Sequence, residues 1–252
     1  MHDSRSSSSA SSNPSPSTAH LVGRVVGLWR YPVKSMAAEP LTRIDVSWHG
    51  FAGDRRWAFV RDGTAQSDFP WLTLRERFDL NHFKPSFVDP AQPDKSRTLV
   101  RTPGGAEYDV TDPALAAELW PQGARVIRQQ RGVFDTFPLS LVSVQSIAAL
   151  GARVGKPLAM NRFRPNLLID TGGGAPFQED EWVGRVLSVG GVRMRVDKRD
   201  GRCAVITVDP LTAERDADVL RVVAQERAGC LGVYASTVLP GRIALNDAVT
   251  VG

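Results

Sequence analysis

The chain has 252 residues, 42% apolar and 23% charged, with 22 Gly and 17 Pro, a globular composition rich in turns that excludes a helical rod and a disordered polymer. No apolar run approaches the roughly 18 residues that a bilayer-spanning helix needs, and 31 basic against 27 acidic residues leave a net charge of +4, which suits an anionic ligand without demanding one. Cys203 and Cys230 are the two cysteines; they are too few for a disulfide scaffold and lack the Cys-x-x-Cys spacing of a zinc or iron–sulfur site, which points to a reducing compartment.

Residues 1–20 are Ser-rich and almost free of apolar side chains, so a disordered tail is expected. No apolar stretch follows Arg5 as a secretory signal requires, and a cytoplasmic location is expected. From Leu21 the chain changes to short β-rich runs cut by turn residues, which predict strands at 21–29, 41–47, 57–61, 97–101, 107–110 and 124–129. Between the last two, Asp112 as N-cap and Pro113 at the first helical position open a helix with Leu115, Leu119 and Trp120 on one face, stopped by Pro121 and Gly123. A second region begins near Phe134, with a helix capped by Ser143, running through Leu150 and closed by Gly151. Strands are predicted at 167–170, 185–189, 192–196, 204–208, 232–238 and 244–251, Gly190-Gly191 joining two of them as a hairpin turn, and a last helix at 216–228 carries Val219, Leu220, Val223 and Ala224. Many strands with three helices and no internal repeat read as mixed α+β, mainly β, barrel-like structure with helices on its rim.

Several strand-end loops carry chemistry. In 193–210, Cys203 follows a Gly-loosened turn and several cations, where a thiol can bind a soft metal or attack an electrophile, although a lone Cys before an apolar run is also an ordinary small core residue. Cys230 has only Arg227 as a basic neighbour and reads as packing. Tyr31-Pro32-Val33-Lys34-Ser35 offers a point charge and a hydroxyl, Gly53-Asp54-Arg55-Arg56-Trp57 a guanidinium fork, and Asn161-Arg162-Phe163-Arg164-Pro165-Asn166 two more forks and an amide. Each alone is compatible with a solvated turn; four together point to one shared anionic pocket. Glu179-Asp180-Glu181-Trp182 reads as a turn or cap rather than an acid–base pair, and the scattered His2, His20, His49 and His82 form no metal site or triad. Gly172-Gly173-Gly174 opens no phosphate-binding helix, and the six dispersed Trp read as core.

These motifs, in this order, resemble the MOSC family, the C-terminal domain of molybdenum cofactor sulfurases, preceded by its N-terminal β-barrel domain. Tyr-Pro-Val-Lys-Ser, Gly-Asp-Arg-x-Trp, Asn-x-Phe-Arg-Pro-Asn, Glu-Asp-x-Trp and Arg-Cys-x-x-x-Thr-Val-Asp-Pro span about Val22 to Val251, and the amidoxime-reducing components of mitochondria and their bacterial counterparts are similar. The resemblance implies a β-rich first domain at 21–130 packed on a barrel-like MOSC domain at 131–252. It further implies a molybdenum cofactor (Mo-molybdopterin) whose metal is ligated by Cys203, the catalytic residue, with Lys34, Ser35, Arg55, Asp135, Thr136, Arg164, Asn166 and Arg202 cradling the pterin and its phosphate. The chain departs from the family at Met36-Ala37-Ala38, at Asp200-Gly201 before Arg202, and at Leu211-Thr212-Ala213, which bears on loop geometry and substrate choice.

The implied function is reduction of small N-hydroxylated or N-oxygenated molecules by oxygen-atom removal. With no Cys-rich segment after the last motif, electrons are expected from a separate donor protein of ferredoxin, flavoprotein or cytochrome type, with neither membrane nor nucleic acid as partner. The alternative is a sulfur carrier for cofactor assembly, related to the pyridoxal-phosphate sulfurases, with a persulfide on Cys203. A nucleic-acid-binding barrel is a third reading, disfavoured because basic residues and aromatics are not interleaved.

Overall fold

The computed structural model describes residues 19–64 and 66–252. Its first half contains β1 (His20–Arg30), β2 (Glu39–Leu41), β3 (Arg43–Ser47), β4 (Gly50–Phe51), β5 (Trp57–Arg61), β6 (Lys84–Phe87), β7 (Thr98–Arg101), β8 (Glu107–Asp109), α1 (Pro113–Leu119) and β9 (Ala124–Arg128). The second half contains β10 (Leu139–Ser143), α2 (Val144–Val154), β11 (Leu167–Asp170), β12 (Val186–Val189), β13 (Val192–Gly201), α3 (Ala217–Arg227), β14 (Cys230–Leu239), β15 (Gly241–Ala244) and β16 (Ala248–Val251).

Seven strands close into a barrel in the order β11-β10-β14-β13-β12-β16-β1, with β1 returning to pair with β11. All of its ladders are antiparallel except β10–β11. Period-two alternation selects the inner face: on β13, Val192, Met194 and Val196 are buried between exposed Arg193 and Arg195. These side chains meet Val25, Leu28, Leu141, Leu187, Val233 and Val249 in one core.

β1 is therefore a barrel strand although it comes from the first half of the sequence, and β3 pairs with β15 from the second. The rest of the first half forms the β5–β9 ladder and the β6-β7-β8 sheet over a second core that includes Phe59, Leu80, Phe83 and Leu115. Helices α2 and α3 cover a third core around Val142, Leu150, Phe163 and Val223. Among the described residues, no helix is long and apolar enough to cross a membrane.

The mainly β architecture with three helices agrees with the sequence reading, as do the Asp112 cap, the last helix, which Asp216 caps, and the Gly190-Gly191 hairpin. Other expectations are corrected. The expected tail lies outside the described residues through residue 18, but His20 already pairs with Val251. The predicted strand 204–208 is a single 3₁₀ turn, Ala204–Thr207, because Arg162 Nη1 holds the Ile206 and Thr207 carbonyls at 3.1 Å and leaves no free ladder. The helix predicted to end at Gly151 runs on to Val154 with Gly155 in the left-handed region; Gly151 is interior, where a Cβ would lie 2.8 Å from the Lys156 carbonyl. The run 244–251 is split by the turn at Asn246 into β15 and β16, and β6 and β10 were not foreseen. Trp48 is 62% exposed, not core.

Candidate functional site

A cavity of about 250 Å³ opens where the loops after β1, β4, β9 and β13 meet the segment before β11. Its wall includes Cys203 and all eight of the residues expected to cradle a cofactor: Lys34, Ser35, Arg55, Asp135, Thr136, Arg164, Asn166 and Arg202. The sequence scatters them over 170 positions; the fold brings them together.

The first loop is fixed by backbone. Lys34 N donates to the Trp57 carbonyl at 2.8 Å, and Trp57 N to Pro32 at 3.2 Å, so the Lys34-Ser35 corner is laced to the start of β5. Lys34 is nearly buried; its Nζ donates to the Val133 carbonyl at 3.1 Å and pairs with Asp135. Burial pulls the Lys34 pKa below its ordinary value against the pull of Asp135. For Asp135, burial works upward, but Lys34, Arg75 and Arg55 outweigh it and hold the carboxyl below the usual range.

Arg55 and Arg164 lie over one aromatic face system: their guanidinium carbons are 4.5 and 4.3 Å from the Tyr31 ring centre. Arg55 is anchored by Asp54 and by the Arg164 carbonyl at 3.2 Å. Its pKa is raised, because Asp54 and Tyr31 overcome the opposing effect of burial. Among the described residues Arg164 has no carboxylate partner, and its Nη2 is buried without a hydrogen bond; burial, reinforced by the nearby Arg55 cation, lowers its pKa to about 10. Tyr31, pushed up to about 12 by burial, remains a phenol whose hydroxyl donates to the Pro165 carbonyl at 3.0 Å.

Asn166 and Arg202 line the cavity with their polar atoms already engaged. Asn166 Nδ2 donates to the Trp29 carbonyl at 3.2 Å and to Asp54 Oδ2 at 3.0 Å, while its Oδ1 accepts from Ser140 N at 3.2 Å. Arg202 donates to the carbonyls of Leu231 and Phe163 and lies 2.9 Å from Asp200. Both residues hold the walls in place. Asp200 is buried with its Oδ2 accepting from Ser140 Oγ at 2.7 Å, and burial raises its pKa despite Arg202. Burial also raises that of Tyr234, the phenol beside it.

Cys203 is half-buried at the N-terminus of the Ala204–Thr207 turn. Cys230 opens β14, lies outside the cavity and touches the Ala228 carbonyl, a packing position. Among the described residues no group of three or more His, Cys, Asp or Glu gathers as a metal site. A metal held here would take one sulfur from the chain and the rest of its ligands from elsewhere. Glu179 is buried and accepts from Ser143 Oγ and Ser146 Oγ at 2.9 and 2.8 Å, which fits the expected structural role of its turn.

Sequence reasoning missed Arg75, Thr73, Ser140 and Tyr234, which also line the wall. A signal for one stretch was present: Thr73-Leu74-Arg75-Glu76 has capping-box spacing, and Thr73 N and Oγ1 both donate to Glu76 Oε2, at 2.9 and 2.7 Å.

The cavity's donors fit an anionic, phosphate-bearing ligand. A guanidinium with a buried, unpaired N–H such as that of Arg164 Nη2 is costly until an acceptor arrives, and Ser35 and Thr136 add hydroxyls to the same wall as Lys34 and Arg55. A soft sulfur on the same wall adds a ligand suited to molybdenum-type chemistry.

Comparisons with known proteins agree with this reading of the fold. The MOSC domain profile matches residues 128–250, and the MOSC N-terminal beta barrel domain profile matches residues 22–132. The chain is 29% identical to the molybdenum cofactor sulfurase of Drosophila grimshawi, covering 88% of this chain and 34% of the relative. It is 30% identical to mitochondrial amidoxime-reducing component 1 of Xenopus laevis over 43% of this chain and 32% of the relative. It is 37% identical to mitochondrial amidoxime reducing component 2 of Bos taurus over 32% and 23%. The chain spans about a third or less of the length of these curated relatives. Among solved structures, the YUAD protein from Bacillus subtilis shares the fold with a TM-score of 0.50, 14% identity, and coverage of 91% of this chain and 94% of that one.

Proposed function

Because the chain belongs to the MOSC domain family, we propose that its cavity binds a molybdenum–pterin cofactor and that the protein reduces small N-hydroxylated or N-oxygenated molecules, drawing electrons from a separate donor protein. The observation that carries this reading is the convergence of Cys203 and eight cradle residues on one cavity, with a buried N–H of Arg164 still unpaired.

In this reading Cys203 holds the metal through its sulfur. Arg164, Ser35 and Thr136 meet the pterin and its phosphate, with Lys34 and Arg55 supplying positive field. Asn166 and Arg202 act as positioning residues, since their polar atoms are spent on the protein. When bound, the cofactor supplies two-electron oxygen-atom chemistry. Reduction of a hydroxylamine takes up two electrons and two protons, breaks the N–O bond and releases amine and water. The Tyr234 hydroxyl stands at the cavity wall beside the Asp200 carboxyl, and burial raises the pKa of both.

Protein made in a host that builds the cofactor should carry about one molybdenum per chain. Cys203→Ser, which substitutes a harder oxygen for sulfur, should lose most amidoxime reduction by a chemical donor, while Cys230→Ser should not. A folded, metal-free preparation from such a host, or full activity in a metal-loaded Cys203→Ser protein, refutes the proposal. The sulfurase match over 88% of the chain favours a second reading, persulfide transfer by Cys203; labelled sulfur on Cys203 with no turnover of N-hydroxylated substrates would select it.

A further inference from the structure

Arg75 reaches the cavity from a loop that none of the motifs marked. The loop is rigid where it leaves β5: Trp71 bridges to Val60, and Leu72 N donates to the Phe59 carbonyl at 2.8 Å. Leu72 and Leu74 are buried in the second core, and Thr73 is buried and locked to Glu76. Leu74 therefore points into the core while Arg75 extends the other way, its guanidinium over Phe69 with the central carbon 4.7 Å from the ring centre.

At its tip, Nη2 of Arg75 donates to the Cys203 Sγ at 3.1 Å and lies 3.6 Å from Asp135 Oδ2. Asp135 in turn pairs with Lys34. The sulfur thus stands at the end of a chain of charge running from Lys34 through Asp135 to Arg75, with the aromatic face of Phe69 under both cations.

We propose that Arg75 is the positioning residue for Cys203: it fixes the sulfur toward the cavity and raises the reduction potential of the metal that this sulfur would hold. The inference rests on the functional reading above. Hydrogen bonds and positive charge at a ligand sulfur stabilise the more electron-rich state of a metal centre, and outer contacts of this kind orient the ligand as well. Arg is suited to both tasks, because its fork can serve the sulfur and a carboxylate at once while its plane stays stacked on a ring.

The test uses Arg75→Gln and Arg75→Lys in the full chain. In metal-loaded protein, the midpoint potentials of the bound molybdenum, followed by EPR-monitored titration, should move negative in Arg75→Gln and less so in Arg75→Lys. A tenfold weakening of preference for the reduced state corresponds to about 59 mV for one electron. Metal content should fall by less than half in Arg75→Lys. Potentials identical to wild type in a metal-loaded Arg75→Gln protein overturn the proposal.

A second readout needs no cofactor. In cofactor-free protein labelled with ¹⁵N-arginine, the Arg75 side-chain signals should move when Cys203 is replaced by Ser and stay when Cys230 is replaced. Indifference to Cys203 overturns the contact itself. Absence of molybdenum from the wild-type protein, by contrast, refutes the functional reading and not the Arg75–Cys203 contact.

Discussion

Replacing Arg164 by Gln should make the cofactor-free protein more stable and at the same time weaken its hold on the cofactor. Burial lowers the Arg164 pKa from 12.5 to about 10, and at about 1.4 kcal/mol per pH unit that is a cost on the order of 3 kcal/mol to the folded state. The sign follows from the direction: a base whose folded pKa lies below its unfolded one destabilises the fold fully below about pH 10, an effect that fades as pH rises toward 12.5. Against this stands the loss of its stacking on Tyr31 at 4.3 Å, worth about 1–2 kcal/mol. The variant should gain about 1–2 kcal/mol net, a rise in melting temperature of about 2–4 °C per kcal/mol for a chain of this size. Gln keeps a donor without the charge, and losing charge-assisted hydrogen bonds of about 1.5–3 kcal/mol should reduce cofactor retention by about tenfold or more. Calorimetry of cofactor-free protein reads the first quantity, and molybdenum and pterin content after expression reads the second. A less stable cofactor-free variant, or one that keeps the full cofactor complement, refutes the assignment of Arg164 as a cation awaiting an anion.

Asn166→Ala should cost about 3 kcal/mol, since it removes the amide partner of the Trp29 carbonyl and of the Ser140 N–H and takes one of several donors from Asp54; urea denaturation of cofactor-free protein checks this, and an unchanged midpoint denies the scaffold role. Gly232→Ala should abolish cooperative melting, because its φ is +71° and a Cβ would sit 2.4 Å from the Leu141 carbonyl, whereas Gly173→Ala, with open space around it, should stay within about 0.5 kcal/mol of wild type. Asp200 has a raised folded pKa, so its contribution to stability is largest at low pH and is lost as pH rises from 3.8 through the folded value. Asp200→Asn should remove that leg of the urea-midpoint profile, and parallel profiles for the two proteins would contradict it.

The candidate site was legible in the sequence where a few residues must sit together in one turn. Lys34-Ser35, Asp54-Arg55 and Arg164-Pro165-Asn166 each combine a cation with a small polar neighbour at a strand end, and each reached the cavity wall. Arg75 and Tyr234 were not legible in that way, because what makes them site residues is a tertiary approach: a capped turn aims one, and antiparallel pairing of β14 with β13 places the other beside Lys198. The misreading of 204–208 as a strand has the same origin. Ala204-Val205-Ile206 has β-type composition, but the buried fork of Arg162, distant in sequence, claims the carbonyls that a ladder would have used. Gly151 misled in the opposite sense: Gly is the commonest helix terminator, yet here it is needed for the close pass of Lys156. Local chemistry marked the loops; which carbonyls and which faces they meet depended on contacts made only after the barrel closes.

The cavity also concentrates unfavourable backbone. Ser35, Arg55 and Arg164 all have φ between 50° and 67°, a left-handed conformation that costs a non-Gly residue roughly 1–2 kcal/mol. A fold keeps such residues only where the surroundings over-determine them, and each of the three is pinned. Ser35 is held between the Lys34–Trp57 and Met36–Val33 bonds. Arg55 N donates to the Tyr31 carbonyl at 2.6 Å, and Arg164 N to Asn161 at 3.3 Å. Because β1 belongs to the barrel and β3 to β15, the two halves of the sequence are woven through shared ladders rather than joined by a hinge. Strain, a guanidinium with one buried, unpaired nitrogen and a fixed frame meet at one place. On the function proposed above, such a cradle stands assembled before its ligand, and binding of an anion would relieve the charge penalty at Arg164.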